Sequence, residues 1–118
     1  MKKYFYLAAL LLSCSFLSSC APTQKPLYTW YNSEEVSYQY NKKHTDELQA
    51  KLLEEFAKME AKQKGVRGVV PPGFYAEYGY TMISAGKRQD GIALLKKEIQ
   101  LYPESSEFVN RILKQLGQ

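Results

Sequence analysis

Ten tyrosines among 118 residues are the strongest chemical bias in this chain. Tyr28, Tyr31, Tyr38 and Tyr40 gather in the first half, and Tyr75, Tyr78 and Tyr80 fall in one short stretch. Tyrosine joins a large apolar body to a hydroxyl, which suits both the half-buried core of a small domain and an interface. Both readings stay open at this level, and Tyr75, Tyr78, Tyr80, Glu77, Tyr28 and Trp30 form the candidate partner-binding set. Catalysis is poorly provided for. His44 is the single histidine, set between Lys43 and Thr45 with no cysteine or second histidine to complete a metal set, so it reads as an exposed loop residue. Glu34-Glu35 and Glu54-Glu55 are adjacent pairs, and neighbours on a helix do not face one another. Pro71-Pro72-Gly73 lacks the glycine spacing and lysine of a phosphate loop. No catalytic residue, metal or cofactor is expected.

The two cysteines are read with an export signal, Cys14 inside it and Cys20 directly after it. Lys2 and Lys3 precede an apolar run from Tyr4 to Leu12, and small residues lead to Leu17-Ser18-Ser19-Cys20. Charge, then an apolar segment, then small residues before a cysteine is the order read by export and lipoprotein processing. The four residues closely resemble a bacterial lipobox. Tyr4 to Leu17 is short of the roughly 20 apolar residues that a span requires. Leu11-Leu12-Ser13-Cys14 is a rival site, but its use leaves Phe16 and Leu17 stranded in the product. Residues 1–19 are therefore read as a signal peptide. The resemblance implies a thioether-linked diacylglycerol on Cys20, with an amide-linked third chain (a palmitate-type modification). Ala21, in place of an aspartate, implies sorting to the outer membrane. The product then has no free thiol and no disulfide, so packing alone must stabilise it.

Cleavage before Cys20 leaves 99 residues, enough for one small core and too few for a multidomain enzyme or receptor. The chain carries 16 Lys and Arg against 12 Asp and Glu, and the loss of Lys2 and Lys3 reduces its net charge from +4 to +2. Nucleic acid is thus not an expected partner, despite a pI near 9.0.

The remaining residues read as helices. Residues 20–32 form the lipidated cysteine and a proline-broken tether, and residues 33–118 the helical domain. A first helix runs from about Glu34 to Lys42, opened by Asn32-Ser33, with Val36, Ser37 and Tyr40 on one face. Thr45-Asp46-Glu47 opens a second, whose Leu48, Leu52, Phe56 and Met59 recur at helical spacing until Gly65 ends it. Glu47 with Lys51, Glu54 with Lys58 and Glu60 with Lys64 are spaced as ion pairs on a solvated face. Residues 66–73 form a connecting loop, because their prolines and glycines break a helix. Three further helices follow: Phe74 to Ala85, Gln89 to Tyr102 and Ser105 to Leu116. The expected fold is all-α.

Tyr78 to Ser105 resembles a tetratricopeptide helix-turn-helix repeat. Tyr78-Gly79, Met82, Gly86, Gly91, Leu95 and Pro103 occupy its spaced positions. Gly79 and Gly91 each cost roughly 0.5–1 kcal/mol of helix propensity, so their presence implies close packing of two backbones. Tyr75 departs from the usual tryptophan. Glu98 departs from a small residue, which leaves open a pairing with Arg111 or a tyrosine hydroxyl, or a different docking angle for the last helix. The upstream helices could form a degenerate pair and the last helix a cap.

Tyr28-Thr29-Trp30, the block Pro71-Pro72-Gly73-Phe74-Tyr75-Ala76-Glu77-Tyr78-Gly79-Tyr80, and Glu98 leading into Tyr102-Pro103-Glu104-Ser105 together resemble a family of small Gram-negative lipoproteins classed as a domain of unknown function. The resemblance implies an outer-membrane assembly with another envelope lipoprotein, such as a CsgG-like one. The expectation is a lipid-anchored interaction module, an adaptor or assembly factor on the periplasmic face of the outer membrane. The alternative is a glycan-binding lipoprotein that stacks sugar rings on its aromatic patch, with Glu77 and Tyr80 as the nearest polar and aromatic pair.

Overall fold

A computed structural model describes residues 1–6 and 24–118, so the expectations for Cys14, Cys20 and the lipobox lie outside the described residues. Residues 2–6 are helical. Beyond them come α1 (Ser33–Lys43), α2 (Asp46–Ala61), α3 (Phe74–Ser84), α4 (Arg88–Leu101), a 3₁₀ turn (Pro103–Ser105) and α5 (Ser106–Gln115). The fold is all-α, with no strand among the described residues. No described helix is long and apolar enough to cross a membrane.

Local chemistry accounts for the helix ends. Thr45 Oγ1 accepts from Leu48 N–H at 3.3 Å, capping α2 as its sequence predicts. Asn32 flanks α1 without a side-chain cap. Its own N–H instead donates to Glu55 Oε2 at 3.1 Å, which ties the start of α1 to α2. His44 is exposed, closes α1 in a left-handed conformation, and places Nδ1 2.7 Å from Tyr40 O. Gly86 (φ 83°) ends α3 with the paired bonds of a Schellman motif, Lys87 N–H to Met82 O and Gly86 N–H to Ile83 O.

The end of α2 differs from expectation. The helix stops at Ala61, with Lys62 already extended, rather than at Gly65. The cause is the incoming chain. Gln63 accepts from Thr29 N–H and donates to both Thr29 O and Met59 O, a set of bonds that a continued helix would forbid. Two of the expected ion pairs change partner. Glu47 and Lys51 meet at 3.3 Å as predicted, but Lys58 pairs with Glu55 at 2.8 Å. Glu60 reaches across to Lys97 on α4 at 2.6 Å, because Lys64 lies beyond the helix.

Two clusters share α3. Val36, Leu52, Phe56, Met59, Val70, Phe74, Tyr75 and Tyr78 pack between α1, α2, the loop and α3. The rings of Phe56, Phe74 and Tyr78 lie 5.4–5.8 Å apart, in edge and tilted contacts that add to their area burial. Ala76, Ile92, Leu95, Val109 and Leu113 form the second cluster between α3, α4 and α5. The hairpin of α3 and α4 is drawn together at two glycines. A Cβ on Gly79 would lie 2.7 Å from Gly91 O, and one on Gly91 would collide with the Gly79 carbonyl and with Ile83.

Candidate functional site

Glu98, the departure from the repeat pattern, has a structural task. It is fully buried. Its Oε1 accepts from Gly73 N–H at 2.7 Å and from Ser105 Oγ at 3.1 Å, and its Oε2 accepts from Tyr75 N–H at 3.1 Å. A carboxylate on α4 thus caps the first turn of α3, where the helix dipole favours negative charge. The expected partners are not the ones used: Arg111 pairs with Glu107 along α5 at 2.7 Å, and Tyr102 donates its hydroxyl to Val70 O.

The tyrosines divide by position. Tyr75 and Tyr78 are buried at 6% exposure each and belong to the core. They leave the candidate surface for that reason. Lys97 sits 4.5 Å above the Tyr75 ring, and its ammonium is held above the ordinary lysine range by its bond to Glu60 and then by Tyr75. Burial, followed by the charges of Glu60 and Asp90, raises the Tyr78 phenol above its ordinary value. Tyr28 is half-buried and meets Trp30 edge-on at 6.5 Å. Tyr80, Trp30 and Glu77 remain exposed.

Those three residues line one surface. A depression of about 290 Å³ is bordered by Trp30, Glu34, Ser37, Pro72, Phe74 and Glu77. A second, of about 370 Å³, is bordered by Ala76, Glu77, Tyr80, Ser105, Phe108 and Ile112. Gly73 and Glu77 border both, so the two adjoin at the start of α3 and together line a groove face from α1 across α3 to α5. Trp30 is held at its end by Ser33, whose Oγ and N–H both donate to Trp30 O. Ser37 Oγ donates to Glu77 Oε1 at 3.3 Å and bridges α1 to α3. Tyr80 and Phe108 are each 62% exposed, one on either wall. Large exposed rings beside Ile112 make the α3–α5 half strongly apolar. The two carboxylates, Glu34 and Glu77, meet no cation among the groove's lining residues.

Phe108 and Ile112 were missed as surface residues. Their signal lay in α5 itself, where Phe108-Val109 and Ile112-Leu113 form adjacent apolar pairs four apart. Val109 and Leu113 are buried against α4, whereas Phe108 and Ile112 form a second stripe that points into the groove.

A larger cavity of about 650 Å³ opens between the ends of α2 and α4 and the loop, lined by Glu60, Lys62, Val69, Tyr75 and Lys97 among others. Its central charges, Glu60 and Lys97, satisfy one another. Among the described residues no group of three or more His, Cys, Asp or Glu could hold a metal.

The molecule is thus an all-α domain that combines a tight helical hairpin with an aromatic groove. Residues 27–112, well over half the chain, match the family described as Domain of unknown function (DUF4810), and the chain belongs to it. No curated protein and no solved structure matches the chain.

Proposed function

We propose that the protein is a lipid-anchored interaction module, a tetratricopeptide-like adaptor that holds a segment of another envelope lipoprotein in the Trp30–Glu77–Tyr80–Phe108 groove. The observation that carries this reading is the pair of exposed rings, Tyr80 and Phe108, on opposite walls of a groove built from rigid helices. Exposed aromatic anchors at the centre of a concave surface are where binding energy concentrates in protein interfaces. The glycine contact in the α3–α4 hairpin, with α5 laid over α4, supports a repeat-like unit whose groove takes polypeptide. The leader read in residues 1–19, directly before Cys20, supports anchorage at the outer membrane, with a CsgG-like lipoprotein as the partner of choice.

The test is purification of the lipidated protein from its native envelope in mild detergent, followed by mass spectrometry, in parallel with Tyr80→Ala and Phe108→Ala. The expected result is one envelope protein in near-equal amount, lost from both variants while their melting curves stay unchanged. Retention of that partner by both variants removes the groove from the reading. Recovery of the protein alone, or with glycan fragments, overturns the adaptor role and makes Tyr80 and Glu77 a sugar-stacking pair to be assayed with glycans.

A further inference from the structure

We propose that residues 24–31, apart from the groove residue Trp30, and 62–70 form a membrane-contact face that seats the domain on anionic phospholipid headgroups, an inference that rests on the lipid-anchor reading above. These two stretches are bonded to each other. Val66 N–H donates to Pro26 O at 3.0 Å, Arg67 N–H to Leu27 O at 3.1 Å, Lys64 N–H to Thr29 Oγ1 at 2.9 Å and the Tyr31 hydroxyl to Lys62 O at 2.7 Å. Gly65 permits the contact, since any side chain there would strike the backbone of Leu27 and Tyr28.

The charge of the chain is concentrated on this face. From residue 24 onward the two stretches hold four cations (Lys25, Lys62, Lys64 and Arg67) and no acid, whereas the remaining residues hold ten cations and twelve acids. All four are exposed, and none is in an ion pair among the described residues. Exposed apolar side chains accompany them: Leu27, Val66 and Val69 are 54%, 64% and 41% exposed. Exposed apolar residues carried on the same bonded stretches as unpaired cations match the boundary between headgroups and acyl chains.

Chain length brings the face to the lipid. Six residue steps lead from Cys20 to Pro26, where the bonded segment begins. Fully extended they reach roughly 20 Å, so an acylated Cys20 keeps the face within a few Debye lengths of the surface. A short tether and complementary charge act in the same direction. Each cation near an anionic surface contributes about fivefold in binding.

The test uses the full lipidated protein reconstituted in vesicles, carrying Val66→Cys labelled with a polarity-sensitive dye. Lys114→Cys is the control, because α5 ends beside the start of α4, where Arg88 donates to Leu116 O, whereas the face adjoins the other end of α4, about 20 Å away. The expected result is a blue-shifted emission at position 66 in vesicles of phosphatidylethanolamine with phosphatidylglycerol. The shift is absent in phosphatidylcholine, at about 1 M salt where screening shortens to about 3 Å, and in a Lys62→Glu, Lys64→Glu, Arg67→Glu variant with an unchanged melting curve. Identical emission at positions 66 and 114 in every vesicle overturns the proposal, as does a shift insensitive to both lipid charge and salt. The unsubstituted protein separates the two readings. If it takes up dye, Cys20 is not acylated and the anchor reading fails. Cosedimentation of that protein with the same vesicles then decides the face alone: salt-sensitive binding lost in the charge-reversed variant supports it, and binding equal in the two proteins overturns it.

Discussion

Replacing Gly91 by alanine sets two effects of known sign against each other. In a helix interior the change gains about 1 kcal/mol of intrinsic propensity. Here the added methyl would lie 2.5 Å from Ile83 Cγ1 and against the Gly79 carbonyl, where carbon contacts need about 3.5 Å. Ile83 is a side chain and can turn, but the carbonyl is backbone, so relief requires α3 and α4 to move apart by about 1 Å. A gap of that size forfeits a quarter to a half of the dispersion well along the seam. Overpacking of this kind costs about 1–3 kcal/mol, and a backbone obstacle places it at the upper end. The expected net loss is about 2 kcal/mol, or roughly 10 °C in Tm for a domain of this size, and Gly91→Leu should abolish cooperative unfolding. Gly79→Ala should behave alike, since its methyl meets Gly91 O at 2.7 Å. The double variant should lose less than the sum, because the separation forced by one methyl makes room for the other. Urea denaturation followed by circular dichroism measures all three. A Gly91→Ala protein as stable as the parent, or more stable by the propensity gain alone, would refute the backbone contact.

Other outcomes follow from single interactions. Glu98→Ala should lose about 3 kcal/mol or more in urea denaturation, because Gly73 N–H, Tyr75 N–H and Ser105 Oγ lose their acceptor, whereas Glu98→Gln keeps part of the cap and loses less. Gln63→Ala should release residues 26–31 from the end of α2, raising amide hydrogen exchange at Thr29 and Lys64 ahead of the helix cores. Burial and then the neighbouring Tyr28 hold the Tyr102 phenol above the ordinary tyrosine value. Its contribution to stability is therefore complete below about pH 10 and is lost as pH rises through the folded value, so Tyr102→Phe should flatten the alkaline fall in Tm. Truncating the exposed rings Tyr80 or Phe108 to alanine should change stability by no more than about 0.5 kcal/mol.

Much of the fold was legible because helical periodicity and breakers are local properties. Leu52, Phe56 and Met59 announced the buried face of α2, and Pro71-Pro72-Gly73, Gly86 and Pro103 marked the boundaries to within a residue or two. The spacing of Gly79 and Gly91 implied a close backbone approach, and the structure has one. The end of α2 was not legible, since it depends on Gln63 meeting Thr29, 34 residues away in sequence. Nor was the role of Glu98, two of whose three donors, Gly73 N–H and Tyr75 N–H, lie at the start of α3 more than 20 residues away.

The candidate surface was half legible. Composition singled out aromatic residues, but burial is set by what packs opposite a side chain, and α3 presents tyrosines to two different sides. Tyr75 and Tyr78 face α2 and the loop and became core, whereas Tyr80, a short step further along the same helix, stands in the open. The sequence by itself determined most of the helices and their breaks, because each depends on residues near one another in the chain. Only the tertiary structure decided which aromatics meet solvent, which acid caps which helix and which cations gather on one face, because those outcomes depend on segments brought together across the fold.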